Sequence, residues 1–172
     1  MAASIQQASL NGWATCLPRP AARVQDYQQA YEEHRHRVYT LAFLMTDNEV
    51  VAEDLTVNTF CRAFAVSPDP GAEVVDRALI AELREFMPLG TLTLDCAAAL
   101  EVLGARRNVK RVHLERAVVQ LPATERLVFL LHDVEGYNHA RIARTLGIGE
   151  QESVLGLHQA RLRLRQLLVA LS

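Results

Sequence analysis

The stretch that decides the fold is Leu121–Gly149, LPATERLVFLLHDVEGYNHARIARTLGIG. Its apolar residues recur every three to four positions, which is the spacing of an amphipathic helix. Pro122 suits a first helical turn, where a missing N–H breaks no hydrogen bond, and this helix is expected to run to about Val134. Asn138 is a capping residue that can begin a second, short helix ending at Leu146.

The turn Gly147–Gly149 follows the short helix, and a longer last helix is expected from about Glu150 to Leu168. A short helix, a tight glycine turn and a longer helix are the pattern of a helix-turn-helix. A further helix is expected just before this motif, from about Arg107 to Gln120. Other helical bundles can imitate the pattern, so by itself it predicts a fold and not a function.

The front of the chain is also expected to be helical. Apolar periodicity predicts helices over about Arg23–Met45, Glu49–Val66 and Glu73–Met87, and another is possible over 95–103. Only 8 Gly and 6 Pro occur in the 172 residues, which favours helices over a many-turned β-fold. The prediction is an all-α protein with a flexible tail (1–22), a helical domain (23–87), a linker (88–105) and a helix-turn-helix domain (106–172).

Charge is distributed unevenly along the chain. Residues 106–172 hold 11 Lys and Arg against 6 Asp and Glu, whereas residues 1–105 hold 7 against 14, so a net charge of −2 divides into +5 and −7. The basic half suits nucleic acid, and the acidic half suits a basic protein surface. The two predicted domains are therefore expected to have different partners.

Several classes of function find no support in the sequence. The sequence contains no apolar run of about 18 residues, so no membrane span is predicted. It also contains no phosphate-binding glycine motif. The six histidines are scattered, and the three cysteines show no metal-like spacing; they are expected to be small buried hydrophobes in a reducing cytoplasm. No catalytic, metal or cofactor site is predicted, and the chain is not expected to be an enzyme.

The stretch 121–149 resembles region four of extracytoplasmic-function (ECF) sigma factors of bacterial RNA polymerase. That family typically reads LP…R.VF.L.…EG.S..EIA..LGIS. The positions in step are Leu121-Pro122, Arg126, Val128-Phe129, Leu130-Leu131, Asp133–Gly136, Ile142-Ala143 and Leu146–Ile148, followed by Leu157-His158 and Ala160-Arg161.

The front domain resembles region two of the same family. The matching positions are Arg37–Tyr39, Ala52–Leu55, Thr59-Phe60 and Arg62–Phe64. In the family this surface binds the clamp helices of the polymerase's largest subunit. The resemblance therefore implies that Glu53 and Asp54 contact core RNA polymerase.

The resemblance also implies that the last helix contacts promoter DNA. The polar and basic residues that could do so are Gln151, Ser153, His158, Gln159, Arg161, Arg163 and Arg165. Positions where the family usually has a basic residue carry Val154, Gly156 and Leu162 instead. Gly156 costs a helix roughly 1 kcal/mol relative to alanine.

The apolar residues of the last helix form two stripes. Val154, Leu157, Ala160, Leu164 and Leu168 are expected to form the core stripe. The second stripe, Leu155, Leu162 and Val169, either packs on the front domain or a neighbouring helix, or it is a surface for another protein.

The third helix, 74–87, is predicted to be a poor DNA surface. Its segment carries four carboxylates, Glu73, Asp76, Glu82 and Glu85, against two arginines.

The leading hypothesis from sequence is a cytoplasmic sigma factor that directs core RNA polymerase to promoters. The alternative is a sigma-like protein-interaction module that has lost promoter readout. The expected partners are core RNA polymerase and promoter DNA, with an anti-sigma factor or another protein as a further candidate.

Overall fold

A computed structural model describes residues 24–93 and 111–170. Within these residues the secondary structure consists of seven α-helices with no strand, so the all-α prediction is confirmed. The helices are α1 (Val24–Thr46), α2 (Glu49–Val66), α3 (Ala72–Phe86), α4 (Arg111–Val118), α5 (Ala123–Phe129), α6 (His139–Leu146) and α7 (Glu150–Ala170). None of them is long and apolar enough to cross a membrane.

The chain divides into two compact units. Among the described residues, one unit comprises 24–43 with 48–85, and the other comprises 44–47 with 86–93 and 111–170.

The first unit is a three-helix core of α1, α2 and α3. Asn48 begins α2 because its side-chain oxygen accepts a hydrogen bond from the Val51 N–H at 3.2 Å. The core contains the fully buried Val38, Leu83 and Ala63. Aromatic rings add to it, since Tyr27 meets Phe64 edge to face at 5.1 Å.

Ion pairs connect the helices of the first unit. Arg37 of α1 donates to the buried Asp76 of α3 at 2.6 Å. Arg62 of α2 donates to Glu82 at 2.6 Å and to Glu85 at 2.7 Å. Three of the four carboxylates between Glu73 and Glu85 therefore pair with arginines of the same unit. Most acidic residues of α3 thus connect it to α1 and α2.

The second unit contains α4 to α7. Beyond Phe129, α5 continues as a single π-helical turn, Leu130–Val134, and α6 begins where the Asn138 side chain accepts from the Arg141 N–H at 2.8 Å. The fully buried Leu127, Leu131 and Ile142 lie in its core. The predicted helix over Pro122–Val134 is thus present, with a π turn at its end that the sequence did not indicate.

The start of the predicted linker packs on the second unit. The Gly90 N–H donates to Thr124 Oγ1 at 3.2 Å, and the Thr93 N–H donates to the fully buried Glu125 at 2.5 Å. A Cβ on Gly156 would lie 2.8 Å from a methyl carbon of Leu92. The small size of Gly156 therefore makes room for Leu92, a function that its helix position alone did not reveal.

Two sequence-based expectations are corrected. Val154 is 42% exposed and is not part of the core stripe, because the inward positions of α7 are taken by Ser153, Leu157 and Ala160. Cys61 is half-buried and disulfide-bonded, so it is not the thiol that was expected. The predicted tail 1–22, the possible helix over 95–103 and the start of the helix expected from Arg107 lie outside the described residues.

Candidate nucleic-acid interface

The helix-turn-helix is formed by α6, the turn at Gly147 and α7. Gly147 adopts the left-handed conformation, with φ 67° and ψ 33°, which glycine tolerates without a steric penalty. The Ile148 N–H donates to the Ala143 carbonyl at 3.1 Å, which satisfies a carbonyl at the end of α6. The turn that the sequence predicted from its glycines is therefore a conventional helix C-terminal cap.

One side of α7 is buried and the opposite side faces solvent. Ser153, Leu157 and Ala160 lie on the buried side. At 3.6 residues per turn, Gln151, Leu155 and His158 then share the opposite side. The first two turns of that outward side are where a recognition helix presents its side chains to bases.

The first turn of α7 contains carboxylates, one of which has a structural role. Glu152 accepts a hydrogen bond from the Gly149 N–H at 2.6 Å. This contact is the second half of a capping box, in which a carboxylate in the first turn satisfies the backbone N–H before the helix. Glu152 therefore stabilises the start of α7.

The seven residues predicted to contact DNA occupy different environments. Gln151, His158, Arg161, Arg163 and Arg165 are exposed, whereas Ser153 is fully buried and Gln159 is 6% exposed. Ser153 Oγ lies 3.0 Å from His139 Nδ1, so its hydroxyl serves a contact between α6 and α7. The inward placement of Ser153 and Gln159 follows from the helical phase, because both lie on the side of α7 that packs against the unit.

Arg161 is held by a carboxylate of the π turn. Its Nε and Nη2 donate to the two oxygens of Asp133 at 3.0 and 2.6 Å, a bidentate ion pair. The hydrogen bond from Arg161 lowers the pKa of Asp133, with a further contribution from His132. In this conformation Arg161 is committed to the protein's own Asp133 before it meets any phosphate.

A pair of stacked histidines joins the π turn to α6. The rings of His132 and His139 lie 4.7 Å apart, centroid to centroid. Burial lowers the pKa of His139, and the neighbouring His132 lowers it further. The sequence gives no sign of this pair, because the two residues lie in different elements and no local spacing signals their contact.

Two arginines of α6 add positive charge to the same unit. Arg141 lies over the ring of Tyr137, with its guanidinium carbon 3.6 Å from the ring centroid. Arg144 is exposed. Neither was among the predicted DNA contacts, although helix-turn-helix proteins commonly bind phosphates through residues of the first helix.

A second candidate surface lies on the first unit. Glu53 and Asp54 are both exposed on α2. Glu53 also borders a cleft of about 520 Å³ between α1 and α2, which is lined by Tyr31, Glu32, Arg35, His36, Tyr39, Glu53, Thr56 and Val57. The predicted docking carboxylates thus stand beside a concave surface of the kind that can receive part of a partner.

The residues of α3 that face solvent differ from the composition of the whole helix. With Asp76 and Glu82 buried against arginines, the exposed residues include Arg77, Arg84 and the 54% exposed Phe86. These are cationic and aromatic groups, the types that bind phosphates and stack on bases. Of the four carboxylates counted in the sequence, Asp76 and Glu82 are buried, whereas Glu73 and Glu85 stay exposed beside these groups.

The part of the chain that the structure describes contains no group of three His, Cys, Asp or Glu side chains that could hold a metal ion.

Comparison with known proteins identifies a matching family and a similar solved structure. Residues 111–164 match the family described as Sigma-70, region 4. The solved structure of the sigma factor RpoE from Bartonella quintana, in complex with the anti-sigma factor NepR, has a similar fold with a TM-score of 0.64 and 18% sequence identity. The similarity covers 85% of this chain and 98% of that one.

These matches agree with the resemblance found in the sequence. Residues 111–164 are similar to sigma-70 region four, and the chain shares the fold of the sigma factor RpoE.

Proposed function

We propose that this protein is a transcription initiation factor that binds core RNA polymerase in the cytoplasm and directs it to promoters. The observation that carries the proposal is the region-four helix-turn-helix, whose α7 presents Gln151, His158 and Arg165 to solvent. These side chains can donate hydrogen bonds to base edges and phosphates. Gly147 caps the end of α6 and Glu152 caps the start of α7, and together these caps fix the direction in which the side chains project.

Docking on polymerase is assigned to the exposed carboxylates of α2. Glu53 and Asp54 are exposed next to the cleft between α1 and α2, and their half of the chain is acidic. A basic polymerase surface would gain electrostatic attraction there, chiefly in the rate of association. The relative RpoE was solved with an anti-sigma factor, and we propose that a protein of that kind also restrains this chain.

A transcription assay tests the whole proposal. Core RNA polymerase with and without the chain is used to select duplexes from a random-sequence library, and the selected duplexes then serve as run-off templates. The proposal predicts start-specific transcripts that depend on the chain, and binding that weakens steeply with salt because phosphates are contacted. Enrichment of no duplex in the presence of the chain would contradict it.

The docking surface is tested by charge reversal. Asp54→Lys is expected to slow association with core polymerase, because an attractive contact becomes repulsive. The matched control is Asp69→Lys, which makes the same charge change at an exposed position in the loop between α2 and α3. Equal association rates for the two variants would refute the assignment of Asp54.

The exposed Val154 and Leu155 favour a second candidate, a sigma-like module that acts through proteins and has lost DNA readout. That candidate predicts binding to core polymerase without selection of any duplex. The same assay therefore separates the two functions.

A further inference from the structure

Two adjacent aliphatic side chains stand on the first two turns of α7. Val154 and Leu155 are each 42% exposed. They follow Gln151 and precede His158, both of which are also exposed. Single exposed aliphatic residues are ordinary. Two neighbouring ones on the first two turns of a recognition helix indicate contact with a partner.

The core of the unit does not need these two side chains. The inward positions of α7 are filled by Ser153, Leu157, Ala160 and Leu164. Val154 and Leu155 lie outside these inward positions, so each keeps 42% of its surface exposed. Covering them with an apolar group of a partner would be favourable in proportion to the area removed from water.

The identity of that partner follows from the chemistry of the major groove. Among the groups that base pairs present there, the thymine C5-methyl is the apolar one. A recognition helix with aliphatic residues at its base-facing positions can gain contacts only where that methyl is present. Resting on the proposed function, we infer that Val154 and Leu155 recognise thymine methyl groups in the upstream promoter element.

The neighbouring side chains favour DNA over an apolar protein groove. Gln151 lies about one turn before the pair. Its amide can hydrogen-bond to both N6 and N7 of adenine, the base that pairs with thymine. His158 and Arg165 interrupt the apolar residues on the same side of the helix and are exposed. A face that alternates aliphatic, amide and cationic groups fits a groove containing methyls, acceptors and phosphates.

The test uses DNA that differs by the methyl group alone. Duplexes selected by core polymerase with the full-length chain are resynthesised with deoxyuridine in place of each thymine in turn. Binding is compared for the wild type, for the double variant Val154→Ala/Leu155→Ala and for Val169→Ala. The last is a matched control, because Val169 is 49% exposed on the same helix but lies four turns further on.

Deoxyuridine at a contacted position is expected to weaken wild-type binding about fourfold, because burying one methyl-sized group raises a binding constant by about this factor. Val169→Ala should keep this sensitivity, and the double variant should lose it. Specific binding that is indifferent to deoxyuridine, or equally sensitive in the double variant, overturns this inference and leaves the proposed function standing. Selection of no duplex overturns both, and retained polymerase binding would then point to a protein partner for this face.

Discussion

Replacing Asp76 by alanine removes the carboxylate that pairs with Arg37 inside the first unit. Asp76 is 4% exposed, the Arg37 side chain is 19% exposed, and their atoms lie 2.6 Å apart. The substitution would leave a mostly buried guanidinium without this carboxylate. Removing one partner of a buried ion pair costs about 3 kcal/mol, so the unfolding free energy should fall by about that amount.

Glu85→Ala is the matched control on the same helix. The Glu85 side chain is 68% exposed and its partner Arg62 is 44% exposed, so water screens their pair. Arg62 would also keep its hydrogen bond to Glu82. The loss for Glu85→Ala should therefore stay below about 1 kcal/mol.

Urea unfolding followed by far-ultraviolet circular dichroism measures the difference. The transition midpoint should fall clearly for Asp76→Ala and barely for Glu85→Ala. Asp76→Asn separates charge from shape, because it keeps the side-chain volume and removes the charge. Equal midpoints for Asp76→Ala and Glu85→Ala, or full stability of Asp76→Asn, would refute the reasoning that the buried charge pair holds α3 in place.

Substitutions at two further positions test the helix-turn-helix. Asp133→Asn should release Arg161 for phosphate, so that the slope of log affinity against log salt steepens by about 0.9 in a DNA-binding titration; an unchanged slope would count against it. The pKa of Asp133 is lowered in the folded state, so Asp133 contributes stability above the ordinary Asp pKa and loses it as pH falls through the lowered value. The unfolding free energies of the wild type and Asp133→Asn should therefore differ by up to about 1 kcal/mol at neutral pH and converge in acid. Gly147→Ala should lower the unfolding free energy measured in urea by about 1 kcal/mol, because φ at this position is 67°. Gly147→Asn should lower it less, since asparagine tolerates this conformation. Equal losses for the two variants would argue against backbone strain as the cause.

Local sequence signals predicted the helices well. α2 and α6 end where the periodicity predicted, and Asn48 and Asn138 cap the helices that follow them. Capping and turn formation depend on residues within about four positions, and such positions are adjacent in the sequence. The same reasoning could not find the π turn, since nothing in the composition of Leu130–Val134 separates it from an ordinary helix end.

The candidate site was predicted less completely. The sequence placed seven DNA contacts on α7, but the helical phase turns Ser153 and Gln159 inward. It assigned Val154 to the core, whereas Val154 is 42% exposed and its neighbour Ser153 takes the inward position. The phase of a helix that carries two apolar stripes is settled only by what it packs against, and here Ser153 contacts His139 of the preceding helix.

By itself the sequence determined the helical elements, the glycine turn and the resemblance of residues 121–149 to region four of sigma factors, because these depend on short-range patterns. Only the tertiary structure decided which charges remain available. Asp76 is 39 residues from Arg37 and Asp133 is 28 residues from Arg161, yet each forms an ion pair. A count of charges in a segment cannot show such pairs, because folding brings together groups that the chain keeps far apart, and each paired charge is already engaged by a group of the protein itself.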